Sequence, residues 1–144
     1  MRSQKVVPEL YCSDIGQSLS FYMHVCGFEI VFDRPEERFA YLSLSGADLM
    51  LEEPGDPDRV LLAGVPERPY GRGMNLQIEV ADVDGLYERA VASGSRIVMP
   101  LEERWYRADE MELGNRQFCV QDPDGYLLRF YRSLGERALQ VAAE

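Results

Sequence analysis

Four short segments of this chain alternate strictly between apolar and polar residues, and their polar sides carry the side chains with chemical potential. Glu9 and Tyr11 oppose Leu10 and Cys12; Asp48, Met50 and Glu52 oppose Leu49 and Leu51. Asn75, Gln77 and Glu79 oppose Leu76, Ile78 and Val80, while Leu127, Arg129 and Tyr131 oppose Leu128 and Phe130. Carboxylates, amides, phenols and one guanidinium turned the same way suit the lining of a cleft better than a dry core. Glu9 is expected to meet a cation, to face water or to form a salt bridge with Arg129, since a buried carboxylate is costly unless paired. It can also serve as a general base. Arg129 has a second use, gripping a carboxylate or phosphate through two parallel hydrogen bonds.

The aromatic candidates for stacking on a flat ligand are Trp105 and Tyr106, in the charged stretch Glu102-Glu103-Arg104-Trp105-Tyr106-Arg107. A cleft or dimer contact is expected for Trp105, with core as the competing role. Tyr11 and Tyr131 are placed to line a cleft floor, and Phe32, Phe39 and Phe118 read as core. Glu52 and Glu53 end a strand and are either solvated or in reach of ligand. The chain has one histidine, His24, on a predicted helix beside Met23 and Val25, so no histidine-based metal site can form within one chain.

A formal net charge of -10 argues against nucleic acid, whose phosphates need clustered Lys and Arg, and favours cationic ligands. Hydrophobic residues at 46% and charged residues at 28% are those of an ordinary folded domain. One domain over residues 1–144 is expected. Three scattered cysteines, Cys12, Cys26 and Cys119, read as buried free thiols in a reducing compartment. No segment approaches the length of a membrane span, and a cytoplasmic location follows as an expectation.

The elements that must position these residues are punctuated clearly. After the first strand, Asp14 caps a helix carrying Ile15, Leu19, Tyr22 and Cys26, which Gly27 stops. Strands follow at 28–32, 39–44 and 47–53. Residues 54–73, with Pro54, Pro57, Pro66 and Pro69, form a linker loop. A second series begins at 74–80, continues with a helix capped by Asp82 and stopped by Gly94, and adds strands at 95–99, 104–111, 115–121 and 126–131. From Ser133 onward, Leu134, Ala138 and Val141 are spaced for a short C-terminal helix.

The second series repeats the first. Asp14-Ile15 recurs as Asp82-Val83, Gly27 as Gly94, and Ile30-Val31 as Ile97-Val98, with a single-residue gap inside the helix. Ser45-Gly46 matches Asp124-Gly125 at a larger spacing, which places an insertion near 101–113. Two modules result, 5–53 and 74–132, followed by a tail at 133–144.

Pro8-Glu9-Leu10, Asp14-Ile15, Ser18-Leu19, Phe21-Tyr22, Gly27-Phe28, Gly114, Arg116, Phe118, Asp122-Pro123-Asp124-Gly125 and Arg129-Phe130 together resemble the vicinal-oxygen-chelate superfamily of glyoxalases, bleomycin-resistance proteins and extradiol dioxygenases. The resemblance implies an α+β fold: two βαβββ modules in tandem whose curved sheets surround a cleft, often completed in a homodimer. It also places the superfamily's metal-ligand positions on Val7, Met50, Asn75 and Arg129. Valine has no donor atom, arginine is a cation and methionine is soft, so only the Asn75 carbonyl could contribute. No metal ligand, catalytic residue or cofactor is therefore assigned.

The metal-free bleomycin-resistance proteins are the nearest match. The implied function is non-catalytic capture of a cationic or aromatic organic molecule, such as an antibiotic, by Glu9, Tyr11, Glu52, Asn75, Gln77, Trp105, Tyr106, Arg116, Arg129 and Tyr131. This chain departs from the family in lacking a Trp before Gly114 and in carrying Tyr126 after the turn. The alternative is an enzyme of the same superfamily, a lyase, isomerase or transferase, using a carboxylate-held metal or Glu9 as a metal-free base.

Overall fold

A computed structural model of the chain describes residues 4–140. In chain order its elements are β1 (Glu9–Tyr11), α1 (Ile15–Ser20), β2 (Glu29–Arg34), β3 (Phe39–Leu44), β4 (Ala47–Glu52), β5 (Asn75–Glu79), α2 (Val83–Ala92), β6 (Ile97–Ala108), β7 (Met111–Gln121) and β8 (Leu127–Ala138). The helix predicted through Cys26 is α-helical only to Ser20 and continues as a π-helical turn over Phe21–Cys26. Asp14 caps it by accepting from the Gln17 N–H at 3.1 Å, and Gly27 ends it with φ of 94°, where a side chain would be strained.

The repeat is realised as two four-stranded sheets of identical topology, β1-β4-β3-β2 and β5-β8-β7-β6. In each, the first strand pairs in parallel with the last, and the rest pair antiparallel. The alternation predicts the buried faces: Leu10, Leu49, Leu51, Ile78, Leu128 and Phe130 are all buried. They join Tyr22, Val83, Leu86 and Phe118 in one hydrophobic cluster that both modules share. Burying each such side chain contributes about 1.5–3 kcal/mol, which makes this cluster the main adhesive between helices and sheets.

One turn and the long loop tie the modules together. Asp122 Oδ1 accepts from the backbone N–H groups of Asp124, Gly125 and Tyr126, fixing the turn before β8. The same turn reaches the other module, where Asp124 accepts from the Ser13 backbone N–H at 3.0 Å and from its hydroxyl at 2.5 Å. Tyr126 Oη donates to the Tyr11 carbonyl at 2.8 Å. Arg68 of the long loop donates to Asp124 Oδ1 at 2.9 Å, so this part of the loop is anchored to the module junction.

The C-terminal helix expected from Ser133 does not form over the described residues. Residues 133–138 instead continue β8, paired with β7 through Asn115↔Ser133, Leu113↔Glu136 and Met111↔Ala138. Leu134 and Ala138 have helical spacing, but β7 offers a row of backbone partners that a helix would leave unpaired. Val141 lies outside the described residues. The insertion expected near 101–113 is present as lengthened strands: β6, β7 and β8 have 12, 11 and 12 residues, against six each in β2, β3 and β4.

Candidate binding troughs

Each sheet turns its polar side away from the shared core and thereby forms a hollow. The first, of about 810 Å³, has Glu9, Tyr11, Phe32, Phe39, Met50 and Glu52 in its lining, with Arg34 and loop residues Asp56, Arg59 and Leu61 also contributing. Parallel pairing sets Glu9 beside Met50 and Tyr11 beside Glu52. Burial holds the Glu52 carboxyl above its ordinary value of 4.5, and the hydrogen-bonding Glu9 carboxyl raises it further. Two acids sharing one wall resist simultaneous ionisation, and a cation between them relieves that repulsion.

The walls of this trough are aromatic. Phe32 stacks on Tyr41 with centroids 5.0 Å apart, and the Arg34 guanidinium lies 4.0 Å from the Phe39 ring centroid. Tyr11 Oη accepts from the Leu61 backbone N–H at 2.9 Å, which draws the loop over one end. Phe32, expected in the core, is instead exposed in the trough lining, whereas Phe39 is buried as expected although it also borders the trough. Phe32 sits on β2, whose six residues are all exposed, so alternation there carries no signal of burial.

The second trough, of about 500 Å³, includes Gln77, Tyr106, Asn115, Arg129, Tyr131 and Ser133 in its lining, with Glu79, Leu113 and Glu136 beside them. Arg129 and Gln77 are register partners, and Arg129 Nη2 donates to Gln77 Oε1 at 2.5 Å. Burial raises the Tyr131 phenol, and its hydrogen bond with Glu79 raises it further. Much of this trough exists only because β6, β7 and β8 are long: Tyr106, Leu113, Ser133 and Glu136 all belong to the extension.

The ten predicted site residues therefore separate. Glu9, Tyr11 and Glu52 share the first trough; Gln77, Tyr106, Arg129 and Tyr131 share the second, and the two hollows have no lining residue in common. The expected Glu9–Arg129 salt bridge is absent among the described residues, because the two side chains belong to different sheets. Asn75 lies in a smaller hollow of about 280 Å³ between β5, the start of β4 and the segment preceding β1.

Two residues point elsewhere. Arg116 faces α2, where its Nη2 donates to Asp84 Oδ1 at 2.6 Å, with Glu103 at 3.5 Å. That contact holds the Asp84 carboxyl below its ordinary value through hydrogen bonding to the guanidinium. Trp105 opposes Gly114 on β7, on the reverse side of the strand from Tyr106. Its indole lies over Gly114 so closely that a Cβ there would meet ring carbons at 2.7–2.8 Å, and Arg137 stands 4.1 Å from the ring centroid.

The equivalence of the modules extends to the metal-ligand positions of the superfamily: Met50 sits beside Glu9 on β4 as Arg129 sits beside Gln77 on β8. A thioether and a guanidinium at these places do not fit a divalent ion. Among the described residues no three His, Cys, Asp or Glu side chains converge as ligands.

Comparison with known proteins agrees with this architecture. The family model described as the glyoxalase/bleomycin resistance protein/dioxygenase superfamily matches residues 5–130. A bleomycin resistance protein of Geobacillus stearothermophilus is 30% identical over 138 residues, covering 89% of this chain and 96% of that protein. The crystal structure of TioX from Micromonospora sp. ML1 superposes with a TM-score of 0.67 at 29% identity, over 92% of this chain and all of that one. The fosfomycin resistance protein FosX from Listeria monocytogenes shares the fold, with a TM-score of 0.61 at 19% identity over 91% of each chain. By family model, sequence relatives and fold alike, this chain belongs to the glyoxalase/bleomycin resistance protein/dioxygenase superfamily.

Proposed function

We propose that this protein is a non-catalytic binder of the bleomycin-resistance type, which sequesters a cationic, aromatic organic molecule such as an antibiotic. The observation that carries this reading is the pairing of Glu9 with Glu52 in a trough that also presents Tyr11, Phe32 and Phe39. Carboxylates that repel one another attract a cation, and the exposed Phe32 ring offers apolar surface to a flat body. The overall charge of -10 adds long-range attraction for the same ligand class. Relatives named bleomycin resistance protein, matched over nearly their whole length, support it further.

The working unit in this reading is a homodimer in the cytoplasm. Each trough is open on one side, and a second copy would supply the missing wall. Buried Cys12, Cys26 and Cys119, all free, accord with a reducing compartment.

The test is calorimetric titration with bleomycin and other cationic aromatic antibiotics, followed by chemical recovery of the ligand. Saturable binding with the ligand recovered unchanged is expected, together with weakening by Glu9→Gln or Glu52→Gln. Conversion of the ligand to a product, or no binding across the cationic panel, would overturn the proposal. Sedimentation analysis should give a dimer; a monomer at working concentration removes that part of it.

A further inference from the structure

The second trough centres on an arginine where the first centres on Glu9 and Glu52. Arg129 stands in it with no carboxylate partner among the described residues. Its Nη2 is committed to Gln77, while its Nε–H is buried and without an acceptor. An arginine N–H withdrawn from water and left without an acceptor costs free energy that an incoming acceptor returns. Around it lie further groups able to donate hydrogen bonds, Asn115 and Ser133, and beyond them the apolar surfaces of Leu113 and Tyr106.

We infer that the second trough is an oxyanion site: Arg129, oriented by Gln77, holds a carboxylate borne on an aromatic or apolar body that rests against Tyr106 and Leu113. The guanidinium fork matches a carboxylate in plane and spacing, which a lysine in its place would not. Glu79 and Glu136 flank the same hollow and set the charge it accepts. Two nearby carboxylates disfavour a phosphate ester, which carries nearly two negative charges, and tolerate a singly charged carboxylate. This inference shares with the sequestration reading only the premise that the troughs receive organic molecules, and it concerns different residues.

Three probes with one aromatic body separate the possibilities: 2-naphthoate, 2-naphthamide and 2-naphthylmethylammonium, each titrated into isotope-labelled protein and followed by amide chemical shifts. Naphthoate should bind about ten-fold or more tightly than naphthamide, with shifts confined to the neighbourhood of Gln77, Asn115, Arg129 and Ser133. Arg129→Gln should remove that preference, Arg129→Lys should keep part of it, and Glu52→Gln should leave it unchanged. Equal binding of naphthoate and naphthamide, or naphthoate shifts centred on Glu9 and Glu52, would overturn the assignment. If Arg129→Gln does not fold, the wild-type comparison of acid with amide still decides. Shifts of the ammonium probe around Glu9 and Glu52 report on the first trough, so their absence sinks the cation reading without touching this one.

Discussion

The Tyr22 hydroxyl donates to Asp122 Oδ2 at 2.8 Å, joining the first helix to the turn before the last strand across 100 residues of chain. Both residues are buried. Burial raises the Asp122 carboxyl above its ordinary 3.8, and Tyr22 with the turn's backbone N–H groups opposes that rise. Replacing Tyr22 by Phe removes one donor from a buried carboxylate and should cost about 1–3 kcal/mol in urea unfolding at neutral pH. A folded value raised above the unfolded one stabilises at low pH, and that contribution is lost as pH rises through the folded value. Tyr22→Phe lifts the folded value further, so its destabilisation should shrink as pH falls toward 3.8. A cost independent of pH would contradict this account.

The raised Glu52 carboxyl gives cation binding a pH dependence. Above its folded value the acid is ionised and attracts a cation; below, it is neutral. Affinity for 2-naphthylmethylammonium should therefore fall as pH is lowered through a range above 4.5, and Glu52→Gln should abolish that step. Titration at a series of pH values measures it, and a step that persists in the variant assigns it to another group.

Trp105 lies on the reverse side of β6 from the second trough, and this predicts a silent reporter. Its emission should change little when naphthoate binds, and Trp105→Phe should alter affinity by less than about three-fold. Gly114→Ala, by contrast, forces the indole off the strand. A cost of about 1–3 kcal/mol and a shift of the emission maximum are expected from equilibrium unfolding monitored by fluorescence.

The cysteines should be inert in the folded protein. Burial drives the Cys12 thiol up to about 12, and raises Cys26 and Cys119 as well. Since the thiolate is the reactive form, an aromatic disulfide reagent at neutral pH should titrate no cysteine in the native state and all three after denaturation. Rapid labelling of native protein would show that one of these sites opens easily.

Local pattern carried most of the architecture. The caps Asp14 and Asp82, the stops Gly27 and Gly94, and the alternation in four strands depend on residues within a few positions of one another, so they are readable along the chain. The same alternation shows which side of β1, β4, β5 and β8 faces the troughs, and hence identifies Glu9, Glu52, Gln77 and Arg129 as a set. It fails where neighbours in space differ from neighbours in sequence. Leu134 and Ala138 have helical spacing, yet the long β7 recruits them as strand.

What the sequence by itself determined is the duplicated module and the polar side of each sheet, because both are written in short-range periodicity. Only the tertiary structure decided the company each polar residue keeps. Glu9 shares its trough with Glu52 rather than meeting Arg129, since parallel pairing joins the first and last strands of the same module. Trp105 and Tyr106, adjacent in the chain, part to opposite sides because β6 is a strand there, and Arg116 is claimed by Asp84 on a helix 32 positions away. Register and sheet membership are long-range properties fixed by backbone pairing and burial, and side-chain type alone does not encode them.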